Sequence, residues 1–86
     1  MVPLAERCRV FLAREVPAGL DYVSGSIAER VLAMAANGIP LDEELAELVP
    51  LCVQESRTRA EDLPGDARAY LLASADLLEE IGREGA

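Results

Sequence analysis

Residues 66–82 read DARAYLLASADLLEEIG. Ala67, Tyr70, Leu71, Ser74, Leu77, Leu78 and Ile81 recur there at helical spacing and form one unbroken apolar stripe. The stretch predicts a helix with Asp66 as its N-cap, after a Leu63-Pro64-Gly65 turn. Gly82 is expected to end it, leaving residues 83–86 as a frayed tail and residues 1–82 as a single helical domain.

Three more helical periods precede it. From Leu41 onward, Leu41, Leu45, Leu48, Cys52 and Ser56 hold one face, and Asp42, Glu43 and Glu44 crowd the first turn, where the helix dipole favours acids. Pro50 falls inside this segment, so the expectation is a kinked helix to about Ala60, or two short helices meeting there. The segment before it ends at Asn37-Gly38, with Pro40 beyond. Its start has two readings: a capping box from Ser26 to Glu29, or an earlier start near Leu20 with Asp21 in the first turn. The first helix is expected over Pro3–Glu15, with Leu4, Cys8, Phe11 and Leu12 inward and Pro17 and Gly19 ending it. No segment alternates with period two. The expected fold is all-α: a compact bundle of about four short antiparallel helices.

The chain has 86 residues, 51% of them apolar and 28% charged, which is the composition of one small globular domain rather than a disordered chain. It contains no His and no Lys. A Ser-His-Asp or Cys-His site, a Schiff-base lysine and a P-loop therefore cannot be built from it. Two cysteines, Cys8 and Cys52, are too few for a zinc site, and no Asp-rich loop matches an EF-hand. Carboxylates, Arg, Tyr22, Tyr70 and the thiols remain. The expectation is a non-enzyme with no cofactor and no metal. No stretch is long and apolar enough to span a membrane, and charges at Glu6, Arg7 and Arg9 interrupt any signal-peptide core. A cytoplasmic protein with reduced, largely buried thiols is expected, although Cys8 and Cys52 lie on stripes that could face each other.

The charge is lopsided. Residues 1–40 carry four acids and four Arg, whereas residues 41–86 carry twelve acids and four Arg, so the whole net charge of −8 lies in the second half. That argues against direct nucleic-acid binding, which needs cations against phosphate. It fits either a solvated face or an acidic face for a basic partner. Val10, Leu51 and Leu72 fall off the apolar stripes, and the second helix is apolar all round through Leu32 and Met34. Arg57 and Arg59 are expected to pair locally with Glu61 and Asp62, and Arg7 and Arg14, on one helix face, could grip a carboxylate. Ser24-Gly25-Ser26 could be an anion-binding turn or a loose helix start.

These features lead to one functional expectation with two alternatives. The first is a protein–protein interaction module, an acidic adaptor, inhibitor or antitoxin- or immunity-like regulator, contacting its partner through Asp42, Glu43, Glu47, Leu51, Leu72, Leu32 and Met34. The second is a structural homodimer or larger homo-oligomer joined through the second helix. The third is a small helical enzyme using carboxylates and Arg.

Overall fold

The computed structural model describes residues 2–18, 20 and 26–84. Among these the protein is all-α: α1 (Leu4–Leu12), α2 (Ile27–Ala36), α3 (Glu43–Ala60) and α4 (Gly65–Glu84), with no strand.

Local chemistry sets most of the boundaries. α1 holds its whole apolar stripe but is shorter than the expected Pro3–Glu15. Pro3 takes the N-cap position, and the helix closes at Ala13, with the Arg14 N–H donating to the Phe11 carbonyl (3.1 Å) in a tightened last turn. α2 begins by the capping box: Ser26 Oγ accepts from the Glu29 N–H at 3.2 Å. The alternative start falls partly on residues 21–25, outside the described residues, while Leu20 is buried and not helical. α2 ends as expected. Gly38 adopts φ +68°, the Ile39 N–H donates to Met34 O at 2.9 Å and the Gly38 N–H to Ala35 O at 3.2 Å. That is a Schellman closure, and its left-handed φ at position 38 favours glycine.

Asp42 is the N-cap of α3; its Oδ1 accepts from the Leu45 N–H at 2.8 Å. α3 then runs unbroken across Pro50, so the two-helix option falls; a kink there is not shown. The buried face of α3 is Leu45, Val49, Val53, Ser56 and Ala60, one residue further round than the expected face, with Leu48 and Cys52 at its half-buried edge. α4 differs at both ends. It opens at Gly65, so Asp66 falls in its first turn rather than at the expected N-cap, and the helix passes through Gly82 to Glu84. A glycine ends a helix only when it turns left-handed. Gly82 does not, and a Cβ there would stand 3.3 Å from Val49 Cγ1, so its lack of a side chain serves close packing instead.

The helices alternate in direction. Val49 abuts Gly82, Arg57 reaches Asp76 and Glu79, and Arg68 reaches the Ala60 carbonyl, so α3 and α4 form an antiparallel hairpin. Leu4 and Ala5 at the start of α1 share a cavity with Ala35 and Ile39 at the end of α2, and Arg9 donates to the Ala36 carbonyl. The two hairpins pack across α2–α3, α1–α4 and the α2–α4 diagonal, while α1 and α3 lie apart on the other diagonal. The core joins Cys8 and Phe11 of α1, Val31 and Leu32 of α2, Val49 of α3, and Leu71 and Leu78 of α4. Each fully buried Leu contributes about 1.5–3 kcal/mol relative to exposure.

Arginine ties the helices together. Arg7 grips Glu80 with both guanidinium arms, at 2.7 and 2.6 Å, joining α1 to α4. Arg9 donates to Ala36 O (2.7 Å), and Arg68 donates to Ala60 O and Glu61 O (both 3.0 Å). These two side chains satisfy C-terminal carbonyls that α2 and α3 cannot pair internally. Arg14 lies over the Phe11 and Tyr70 rings, which are themselves 4.7 Å apart. Arg57 bridges to Glu79 (3.1 Å) and Asp76 (3.4 Å) on α4 rather than pairing with Glu61 or Asp62. The local pairing expected for it gives way because the antiparallel hairpin sets two α4 carboxylates beside it.

Candidate functional site

The residues singled out in the sequence do not form one patch. Asp42 is exposed but serves as the α3 N-cap. Glu43, Glu47 and Leu51 follow on the solvent side of α3, and Leu51 is 60% exposed. Leu72 is 40% exposed on α4, opposite the C-terminal part of α3; by helix rise it lies about 14 Å along the axis from Leu51. Leu32 is fully buried within the single chain, so its side chain offers no surface, and Met34 is half-buried. The all-apolar α2 is thus accounted for by burial against the other helices. Val10 is exposed, as its off-stripe position implied.

At about 100° per residue, Glu44, Glu47 and Glu55 fall within about 40° of Leu51 on the helix surface. The result is one large apolar side chain set among three carboxylates. Among the described residues, the ion pairs are Arg7–Glu80, Arg57–Asp76 and Arg57–Glu79, so none engages these acids. The carboxylates that are paired respond: the Arg7 hydrogen bonds hold Glu80 below the usual carboxylate range, and those of Arg57 do the same for Glu79.

Two concave regions flank this face. A groove of about 690 Å³ runs between α3 and α4, floored by Ala46, Val49, Pro50, Val53 and Gly82. It shares Ala46, Val49 and Gly82 with a cavity of about 520 Å³ at the end of the bundle, which Leu4, Ala35, Ile39 and Ile81 also line. Neither could be read from the sequence. Both depend on small residues of different helices meeting, and the one local signal was a glycine inside a strong helical stripe. On the other side of α3, Cys52 and Glu55 line a smaller hollow with Ile27 and Ala28.

Both cysteines are free, Cys8 fully buried and Cys52 half-buried. They belong to α1 and α3, the helices that lie apart, so the possible face-to-face pairing does not arise. Burial pushes both thiols up, and Glu55 adds to the effect at Cys52, so neither is an activated nucleophile. Among the described residues no group of three or more His, Cys, Asp or Glu could hold a metal ion, and no helix is long and apolar enough to cross a membrane. Most of the Ser24-Gly25-Ser26 turn lies outside the described residues; Ser26 within it is a helix cap.

No protein-family model, curated protein or solved structure matches this chain.

Proposed function

We propose that the protein is a non-catalytic interaction module that docks a basic partner protein on the N-terminal half of α3. The carrying observation is Leu51: largely exposed, and surrounded by Glu44, Glu47 and Glu55, which no cation of the described chain engages. An apolar centre anchors a complex and a charged surround steers its formation. An adaptor, inhibitor or antitoxin- or immunity-like role would each use such a face. A homodimer through α2 has less to support it, since Leu32 is enclosed within the chain. An enzyme would need a chemically poised group, and the two thiols are pushed the wrong way.

The test is kinetic, on a basic partner captured from the source cells. The triple variant Glu44→Gln, Glu47→Gln, Glu55→Gln removes the three charges set around Leu51 and leaves the Asp42 cap in place. It should slow association several-fold and flatten its salt dependence, because surface charges act over about 8 Å at physiological salt. Leu51→Gln should instead speed dissociation. Unchanged rates and salt slope in both folded variants would leave α3 as ordinary solvated surface.

A further inference from the structure

We propose that the cavity at the end of the bundle binds a small hydrophobic amine, its ammonium group toward Glu84. Neither Leu51 nor the carboxylates around it line this cavity, so the site stands apart from the docking face on α3.

The cavity measures about 520 Å³ and is bounded by the ends of all four helices. Small residues make the room: Ala5 of α1, Ala35 of α2, Ala46 of α3 and Gly82 of α4 all line it. Of its eleven lining residues, ten carry no charge and no hydrogen-bonding group on the side chain. Small-molecule sites span about 300–1,000 Å³ and are mostly apolar, so volume and lining both suit a compact apolar body. A partner helix or strand would need a long groove, and four helix ends leave none.

Charge selects the head group. The eleventh lining residue is Glu84, exposed at the end of α4. No ion pair among the described residues engages it. Arg7 has both arms on Glu80, and Arg83 lines the α3–α4 groove and not this cavity. Ile81 and Gly82 belong to the same last turn of α4, whose carbonyls lack partners within the helix and form the negative end of its dipole. The two helix starts at this end would favour an anion, but both already carry acids: Glu6 in α1, and Asp42, Glu43 and Glu44 at α3. With Glu80 and Glu84 set against Arg7 and Arg83, the bundle end holds six acids and two bases, a net −4 and half of the chain's −8. The α3–α4 groove lacks this bias, because Arg57 and Arg83 line it beside Glu61 and Glu79. A carboxylate head is repelled at the bundle end and a neutral one gains nothing from its field. An ammonium is attracted, and has N–H groups to donate to Glu84.

Phenylbutylamine, phenylbutanol and phenylbutyrate share one body and differ in head charge. Each is titrated into the whole chain, with binding read by calorimetry and by amide chemical shifts. The amine should bind one to one and shift the amides of Leu4, Ala35, Leu41 and Gly82. It should bind about threefold to tenfold tighter than the alcohol, with the carboxylate weakest. That advantage should shrink as salt rises. Glu84→Gln should bring the amine toward the alcohol and leave the alcohol unchanged. Ala35→Leu fills the cavity and should weaken the amine and the alcohol at least about tenfold. If that variant melts early, Ala5→Leu serves in its place. Leu51→Gln should leave amine binding unchanged, whatever it does to a protein partner. Equal binding by the parent and filled cavities, or no binding at all, overturns the proposal. So does a carboxylate that binds as tightly as the amine. An alcohol that matches the amine, with Glu84→Gln of no effect, makes the cavity a neutral apolar site and overturns it too. A parent chain that scatters light as a dimer, and as a monomer once Ala35→Leu is made, gives the cavity to a second copy instead.

Discussion

Ser74 is buried at the centre of α4, and its hydroxyl has no hydrogen-bond partner among the described residues. Replacing it with Ala is expected to stabilise the protein. An orphaned buried hydroxyl costs about 1–3 kcal/mol. Ala also exceeds Ser in helix propensity by about 0.5 kcal/mol. Against this stands the hole left by one oxygen atom, about 15 Å³, which at about 24 cal/mol per Å³ costs about 0.4 kcal/mol. The balance is a gain of about 1–3 kcal/mol. A chain of 86 residues has an unfolding entropy near 0.18 kcal/mol/K, so Tm should rise by about 6–17 °C. Urea titration should show a higher midpoint at unchanged slope. The reciprocal change, Ala75→Ser at the neighbouring fully buried position, should lower the midpoint by a similar amount. If Ser74→Ala is neutral or destabilising, the hydroxyl has a partner after all, such as a buried water, and the accounting above is wrong.

Three other outcomes follow from the packing. Glu80 titrates below its ordinary value of 4.5 in the folded state because Arg7 donates to it. Its contribution is therefore present above that value and lost as pH falls through the lower folded value, and Glu80→Gln should flatten the acid limb of a stability–pH curve. Gly38→Ala meets no neighbour but must hold φ +68°, so it should cost about 1–2 kcal/mol by thermal melt, with Gly38→Asn costing less. Gly82→Ala sets a gain of about 1 kcal/mol in helix propensity against crowding of Val49; in a double-mutant cycle it should be more favourable with Val49→Ala than with Val49 present, and strict additivity would remove the close-packing role of Gly82.

What the sequence reveals here is whatever is written within one turn of helix. Ser26 with Glu29 and Asn37 with Gly38 mark boundaries that the structure keeps, because each closes backbone hydrogen bonds with residues three to five positions away, whereas Asp42, expected within the first turn of α3, is its N-cap. Gly82 misleads for the opposite reason. Its local cost, about 1 kcal/mol, is outweighed by the packing of α3 on α4, which local propensity does not contain. The arginine ties are less legible still. Arg9 to Ala36, Arg57 to Glu79 and Arg7 to Glu80 join residues 27, 22 and 73 positions apart. For the surface, helical phase identified Val10, Leu51 and Leu72 as outward, and they are. It could not tell that Leu51 and Leu72 lie far apart, nor that α2 is apolar because it is enclosed.

The shortness of α1 has a kinetic consequence. Nine residues fall below the roughly 12–15 needed for even a marginal helix in water, so α1 persists only while docked. The α3–α4 hairpin, closed by a short turn, can form from neighbours in sequence; α1 must await both the end of α2 and the C-terminal part of α4. Opening should run in reverse, with α1 amides exchanging through partial detachment while those of α3 and α4 wait for global unfolding. Each such detachment withdraws Leu4 and Ala5 from one wall of the bundle-end cavity, so the rate at which that cavity widens is set by how long α1 stays docked.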